Sequence, residues 1–308
     1  MEAFFTTAEQ VGVMLILIML GFLLARLKIF NDDGVKCITT MVLYFVTPCV
    51  IIKSFVRPFD TDTLKNIGLS FAGALAAHII YILTAHLVIH DKRYSRESVL
   101  RYSIVFANCG YMALPLLQAI IDGDDGVLYA TSFIAIFNLI AWSYGIILIS
   151  GDKKYMSPKK MLINPGIIAL AIGFVVFICS IELPDVIYKP IEHLSFLNTP
   201  LPMMIIGYHL SKADFKKCFT DLWALITIAI RLILMPAVVL GALYLCGMRG
   251  NMLIASVVCA AAPVAANTTM FSAKFGQDTE LSVNMVSLST VISVATIPII
   301  VALTKIIA

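Results

Sequence analysis

Residues 107–115, ANCGYMALP, and residues 261–269, AAPVAANTT, interrupt two apolar stretches with small residues, amides and a proline. Proline lacks a backbone N–H and its ring clashes with the preceding turn, so each stretch is predicted to unwind into two half-helices. Inside a membrane, freed backbone groups are tolerated only where they are buried in protein or line a cavity. The first turn of a half-helix also offers N–H donors and partial positive charge, which suit an anion. The alternative is that Pro115 and Pro263 merely kink two packed helices.

The composition places these stretches in a membrane. Hydrophobic residues make up 60% of the 308 residues and charged residues 13%, with a mean hydropathy of +0.95. Soluble domains have about 45–50% apolar and about 25% charged residues. The net charge of +3 is too small and too dispersed for a nucleic-acid surface. We therefore expect an all-α integral membrane protein whose partner is the lipid bilayer.

Ten membrane spans are predicted from the apolar runs, since a crossing needs about 20 apolar residues. We number them 1 to 10: residues 8–27, 35–56, 64–89, 98–121, 127–149, 162–181, 190–210, 221–247, 251–274 and 281–306. Spans 4 and 9 contain the two interruptions. The spans leave only short connections between them.

Basic residues predict the orientation of the spans. Of the 22 lysines and arginines, 15 lie in the odd-numbered connections, six lie in the even-numbered connections and the C-terminus, and Arg231 lies inside span 8. Positive connections stay in the cytoplasm, so the odd connections are predicted to be cytoplasmic and both termini extracytoplasmic. The predicted location is the cell (inner, cytoplasmic) membrane.

The two halves of the chain resemble each other at an offset of about 152 residues. The matching pairs are Gly21-Phe22 with Gly173-Phe174, Thr47-Pro48 with Thr199-Pro200, and Gly123-Asp124 with Gly276-Gln277-Asp278. Residues 1–150 and 151–308 would thus be two repeats of five spans each. An odd number of crossings inverts the second repeat, which is the arrangement of secondary transporters with midplane sites on broken helices.

Several segments resemble the auxin efflux carrier family, which includes bacterial malate and malonate permease-like proteins and the plant PIN auxin exporters. They are NCGYMALPLL at residues 108–117, Ala262-Pro263 followed by FSAKFG at residues 271–276, RLILMPAV at residues 231–238, and Asn164-Pro165. The similarity extends over essentially the whole chain. The short connection from Gly151 to Met161 differs from the plant exporters, which carry a long regulatory loop there.

This resemblance implies a fold related to sodium/proton antiporters and sodium/bile-acid symporters, with spans 4 and 9 crossing at their breaks. Spans 1, 2, 6 and 7 would form a scaffold, and spans 3–5 and 8–10 a mobile transport unit. It also implies a homodimer and a small organic anion as substrate, such as malate, malonate or an auxin-like carboxylate. We expect a secondary transporter that works by alternating access. A sodium- or proton-coupled symporter for another solute and an anion channel are the alternatives.

The candidate substrate-binding residues lie in the two interruptions and in span 8: Asn108, Cys109, Gly110, Tyr111, Pro115, Pro263, Ala265, Asn267, Thr268, Thr269 and Arg231. Amides and hydroxyls can donate to a carboxylate, although a buried amide can equally link helices. Arg231 can neutralise an anion, snorkel, or bind carbonyls at the breaks. Tyr111 can gate the site or simply pack.

Ion coupling has weaker candidates: His78, Asn138 and Thr290. Neither residues 251–275 nor residues 127–149 contain an Asp or Glu, so a sodium site would need carbonyls, amides and hydroxyls. His78 can exchange a proton near neutral pH, but a buried histidine is more often a neutral hydrogen-bonding residue. We expect no cofactor, no metal and no enzymatic activity, because the sequence has no HExxH, no GxSxG and no phosphate-binding loop.

Overall fold

The computed structural model describes residues 2–156, 159, 163–213 and 219–308. Lys160, Lys216 and Lys217, which contribute to the charge count above, lie outside the described residues, as does the first residue of span 6. The helices are α1 (Glu2–Arg26), α2 (Asp32–Met41), α3 (Thr47–Phe55), α4 (Thr61–Val88), α5 (Tyr94–Val105), α6 (Leu114–Ile120), α7 (Asp125–Ile140), α8 (Ile146–Ser150), α9 (Pro165–Ile178), α10 (Asp185–Phe196), α11 (Pro200–Leu210), α12 (Leu222–Ala229), α13 (Met235–Leu245), α14 (Gly250–Ala261), α15 (Asn267–Lys274) and α16 (Thr279–Ile307).

The described chain is all-helical, with no strand in these ranges, as the composition predicts. Among the described residues, six helical segments are long and apolar enough to cross a membrane: Ala8–Arg26, Asp32–Phe55, Thr61–Val88, Asp125–Ser150, Leu222–Leu245 and Thr279–Ile307. Shorter apolar helices occupy Cys109–Ile120, Pro165–Ile178 and Gly250–Ala261. The shorter helices belong to spans 4, 6 and 9. Span 7 is also divided, since α10 ends at Phe196 and α11 begins at Pro200.

Three of the prolines follow a single π-helical turn instead of breaking their helix. The turns Val42–Val46, Cys109–Ala113 and Ile230–Leu234 end two residues before Pro48, Pro115 and Pro236. A π turn replaces the i−4 bond by an i−5 bond, and it gives the proline ring room where a regular helix would clash. These spans therefore continue through their prolines.

Spans 1 and 7 approach each other at backbone distance. A methyl group added at Gly207 of α11 would overlap the carbonyl oxygen of Ile18 in α1, and one added at Gly21 of α1 would overlap the backbone of Met204. Gly173 of α9 makes a comparable close contact with the ring of Phe55 in α3. Small residues allow such close packing between membrane helices, where apolar burial alone gives little attraction. These glycines therefore fix two helix pairs, α1 with α11 and α9 with α3.

The most deeply buried helices surround the two interruptions. Every residue of α14 from Met252 to Ala261 is buried, and α7 is buried from Gly126 to Ala135. The N-terminal half of α16 is buried over most of its length, and it packs against α14 and α15. This arrangement places the interrupted segments at the centre of the helix bundle.

Candidate functional site

Both interruptions are breaks in a helix, as predicted, but the break in span 4 begins earlier than its proline. Helix α5 ends at Val105, the chain is extended at Phe106, and the π turn begins at Cys109. Pro115 lies six residues after Cys109, inside α6, so it does not cause the break. In span 9, helix α14 ends at Ala261 and α15 begins at Asn267, so Pro263 does lie in the break.

The two breaks cross and bind each other through their backbones. Asn108 N donates to Pro263 O at 2.7 Å, and Ala265 N donates to Phe106 O at 3.0 Å. Ala107 and Val264 thereby form an antiparallel β-bridge. These groups are buried, so the breaks satisfy at mid-bundle the backbone groups that the interrupted helices leave free.

Helix α16 supplies a further contact to the crossing. Val264 N donates to Ser289 Oγ at 3.1 Å, and Ser293 Oγ lies 3.8 Å from the Met112 Sδ atom. The sequence reasoning missed both serines. Their signal was the run of hydroxyl residues Ser287, Ser289, Thr290 and Ser293 within an apolar span, a pattern that marks a polar helix face.

Four helix ends meet at this crossing. The C-terminal ends of α5 and α14 carry partial negative charge, whereas the π turn at Cys109 and the start of α15 at Asn267 carry partial positive charge. The crossing therefore has two ends that attract a cation and two that attract an anion.

Arg231 lies at the partially negative C-terminal ends of α5 and α14. Its side chain is fully buried, Nη1 donates to Ile104 O at 2.8 Å, and Nη2 donates to Ala260 O. These carbonyls belong to the last turns of α5 and α14. Of the alternatives considered from the sequence, the geometry matches the binding of carbonyls at the breaks. Arg231 thus joins the two half-helices that precede the crossing.

Tyr81 and His78 of α4 lie beside Arg231. The guanidinium stands 4.8 Å from the centroid of the Tyr81 ring, which is a cation–π geometry. His78 is fully buried, with its ring 5.5 Å from that of Tyr81 and 4.9 Å from that of Phe133. Its Nδ1 lies 2.8 Å from Ala74 O, so Nδ1 carries a proton and donates. Tyr81 was not among the residues expected from the sequence.

The positive ends carry polar groups without partners. Within the described chain, Asn108 Nδ2 and Asn267 Oδ1 have no hydrogen-bond partner, although both atoms are buried. An unpaired buried polar group costs about 1–3 kcal/mol, so such atoms mark a place where a ligand gains binding energy. Thr268 is buried and its hydroxyl donates to Ala265 O at 2.7 Å, whereas Thr269 is partly exposed. Cys109 is buried and Gly110 is partly exposed at the start of the π turn.

Tyr111 connects the crossing to another part of the bundle. Its side chain packs against a small apolar cluster formed by Val35, Val42, Ile205 and Tyr208. These residues belong to spans 2 and 7. Tyr111 therefore lies where span 4 meets the α1–α11 side of the molecule.

The remaining ion-coupling candidates bind groups away from the two breaks. Asn138 Nδ2 donates to Ile134 O at 3.0 Å, and its Oδ1 accepts from Asn164 Nδ2 at 3.3 Å. Thr290 Oγ1 donates to Val286 O within its own helix at 2.7 Å. Among the described residues, no group of three or more His, Cys, Asp or Glu side chains forms a metal-binding cluster.

A cavity of about 390 Å³ opens at the end of the bundle that contains the acidic connection after α6. Its lining includes Lys53, Pro115, Gln118, Asp124 and Thr199. Pro115 is the one candidate site residue in this lining. The cavity therefore reaches α6, the half-helix that follows the crossing.

Comparison with known proteins gives one family and two relatives. A family model described as "Membrane transport protein" matches residues 6–159 and 154–301. A protein of Rhizobium meliloti named "Putative malonate transporter" is 21% identical over 292 residues, which cover 91% of this chain and 90% of the relative. An uncharacterized transporter of Methanocaldococcus jannaschii is 24% identical over 244 residues, which cover 74% of this chain and 76% of the relative.

Proposed function

This chain belongs to the membrane transport protein family, and from that premise we propose that it is a secondary carrier for a small organic anion. The family indicates a transport protein rather than an enzyme. The crossing of two broken helices carries the proposal, because it brings two half-helix N-termini together with the buried Asn108 Nδ2 donor, which has no partner in the described chain. That combination suits a carboxylate.

The proposed anion site lies at the positive helix ends. Its donors are the backbone N–H groups of Cys109, Gly110 and Tyr111 and, in the first turn of α15, those of Asn267 and Thr269, since the Thr268 N–H already donates to Ala265 O. The amide of Asn108 adds a donor that has no other partner in the described chain. The two helix N-termini together offer roughly one positive charge. Pro115, Pro263 and Ala265 shape this site through the backbone.

Arg231 supports the site from the opposite side of the crossing. Its charge stabilises the negative ends of α5 and α14 and so fixes the half-helices whose breaks present the anion donors. Without a cation there, two partial negative charges would face each other within the bundle. We therefore propose that Arg231 positions the crossing and that the substrate binds to the amides and helix N-termini.

The proposed substrate is malonate or a similar short dicarboxylate. One relative carries the name of a malonate transporter, and the short connection after α8 lacks the long loop of the plant auxin exporters. A short dicarboxylate also matches two sets of donors, one on each half-helix. An auxin-like carboxylate is the less favoured candidate.

Transport is proposed to follow alternating access. Ten spans would form two inverted repeats, residues 1–150 and 151–308, with spans 1, 2, 6 and 7 as the scaffold and spans 3–5 and 8–10 as the moving unit. The backbone-close pairing of α1 with α11 and the packing of α3 on α9 support a rigid scaffold. The proposed setting is the cell membrane with both termini outside, as a homodimer. If transport is ion-coupled, His78, Asn138 and Thr290 are the residues to test.

The test is uptake of radiolabelled malonate, malate and indole-acetate into liposomes that contain the purified protein. We expect flux of at least one carboxylate, and a decrease of roughly 10- to 100-fold for Asn108→Ala, because a hydrogen bond to a charged group contributes about 1.5–3 kcal/mol. The matched control is Asn66→Ala, at a partly exposed position in the first turns of α4, which should transport normally. Absence of flux for every carboxylate with folded protein refutes the proposal.

A further inference from the structure

Two ion pairs join the end of α3 to the start of α7. Arg57 Nη1 lies 2.6 Å from Asp125 Oδ1, and Lys53 Nζ lies 4.0 Å from Asp124 Oδ1. Arg57 is further held by its Nε, which donates to Ser54 O at 3.1 Å. All four side chains are at most 40% exposed, so the pairs are partly shielded from water.

These pairs cross the boundary between the two proposed units. Helix α3 packs mainly against α9 and α10, whereas α7 packs mainly against α4 and α14 and has fewer contacts with α3 and α9. Lys53 and Arg57 thus belong to the scaffold side, and Asp124 and Asp125 to the side that carries the crossing. Any displacement of the transport unit along the scaffold must separate or exchange these partners.

Lys53 has a second partner that would remain after such a displacement. Its Nζ lies 3.6 Å from Glu192 Oε1 of α10 and 5.5 Å from the centroid of the Phe196 ring, both on the scaffold side. Loss of Asp124 would therefore leave Lys53 with a carboxylate and an aromatic face. Because the Lys53 ammonium group keeps an oppositely charged partner, the Lys53–Asp124 pair can separate at a small cost in free energy.

One of the two pairs, Lys53–Asp124, also lies in the wall of the 390 Å³ cavity. Lys53 and Asp124 line it together with Gln118 and Pro115 of α6 and Thr199 at the start of α11. The cavity thus lies between the two units, next to the Lys53–Asp124 pair that joins them. Separation of the pairs would widen the route from this face of the membrane towards the crossing.

We propose that Lys53–Asp124 and Arg57–Asp125 form a gate that closes this end of the transport pathway. As the gate opens, Lys53 releases Asp124 and keeps Glu192, and the shorter Arg57–Asp125 pair contributes most of the stability of the closed state. This inference rests on the proposed carrier function. It is tested by an accessibility measurement that requires no substrate.

The experiment uses a Gln118→Cys variant of the full chain in lipid nanodiscs, where both membrane faces are open to a charged maleimide. Labelling is counted above that of the parent chain, because Cys37, Cys179 and Cys246 are exposed. Arg57→Gln and Asp125→Asn, each added to Gln118→Cys, should label roughly two- to fivefold faster, the effect of losing a partly exposed ion pair. The exchanged pair Arg57→Asp with Asp125→Arg should restore slow labelling.

The matched control is Lys65→Gln, which removes a largely exposed pair with Asp62 near the start of α4 and should leave the labelling rate unchanged. Equal labelling of all variants overturns the gate, and so does fast labelling that the exchanged pair does not reverse. Carboxylate flux is measured separately on the same variants. Normal gating without any flux would reject the carrier function alone, whereas flux with unchanged labelling would reject the gate alone.

Discussion

Replacement of Arg231 by lysine separates two of the roles that the sequence allowed for this residue, binding of the anion and binding of carbonyls at the breaks. The guanidinium reaches two carbonyls at once, Ile104 O and Ala260 O, from a fully buried position. Lysine keeps the positive charge but is a compact point donor without the planar fork. We expect Arg231→Lys to keep one of these bonds and lose the other.

The expected cost follows from one lost hydrogen bond between a charged donor and a buried carbonyl, about 1.5–3 kcal/mol. At roughly 2–4 °C per kcal/mol, the lower figure corresponds to a decrease in melting temperature of about 3–6 °C. Since 1.4 kcal/mol is a factor of ten in rate, turnover should decrease at least about tenfold if both half-helices must be held for transport. The KM for malonate should stay unchanged, because the substrate binds at the other helix ends.

The measurements are thermal unfolding in detergent and concentration-dependent malonate uptake in proteoliposomes. The matched control is Arg249→Lys: this exposed arginine also binds two carbonyls, Tyr244 O at 2.6 Å and Met248 O at 2.7 Å, and stands 3.6 Å from the centroid of the Tyr244 ring. Because water can replace its bonds, the control should change stability by less than about 1 kcal/mol. A raised KM with normal turnover and normal stability in Arg231→Lys would refute the positioning role and make Arg231 a substrate ligand.

Three further predictions concern the α1–α11 contact, the crossing and His78. Gly207→Ala should decrease the free energy of unfolding by about 1–3 kcal/mol, and with it the melting temperature, because the new methyl group would overlap the Ile18 carbonyl. The control is Gly241→Ala, which has no atom within 4 Å of the new Cβ and should melt like the parent protein. Equal melting curves for the two variants would contradict the close contact. Ser289→Ala should decrease the free energy of unfolding by about 1–3 kcal/mol, because it leaves the buried Val264 N–H without an acceptor. Ser287→Ala removes a hydroxyl that has no partner among the described residues, so its decrease should be smaller. The reverse order of melting temperatures would count against the bond between Val264 and Ser289. His78→Gln should keep the pH dependence of malonate flux, because the ring is packed between Tyr81 and Phe133 and bound to Ala74 O; a flattened pH profile would instead assign proton coupling to His78.

The break in span 4 shows where local sequence rules stop. Proline predicts a broken helix because it lacks an N–H, and in span 9 the break does contain Pro263. In span 4 the π turn from Cys109 to Ala113 accommodates Pro115, and the chain opens earlier, at Phe106. The backbone groups that the break leaves free are satisfied by hydrogen bonds to Pro263 and Ala265, which lie in the second half of the sequence. No local pattern near Phe106 specifies those partners.

Arg231 shows the same limit for a side chain. Its place inside span 8 marks it as an intramembrane charge with a function, but anion binding, snorkelling and carbonyl binding all remained open from the sequence. The carbonyls that it reaches belong to spans 4 and 9, and every residue has such a group. Only the positions of the two helix ends make Ile104 and Ala260 its partners.

By itself, the sequence determined the class of this protein, because apolar content and proline act within one segment and need no partner. It predicted an all-helical membrane protein and two broken helices. It also showed a resemblance to the auxin efflux carrier family, and the family match confirms that resemblance. Only the tertiary structure decided that the breaks bind each other, that Arg231 joins the ends of α5 and α14, and that Ser289 completes the crossing. These contacts form between backbone groups of distant segments, and backbone groups are the same in every residue, so their pairing is decided by how the helices pack.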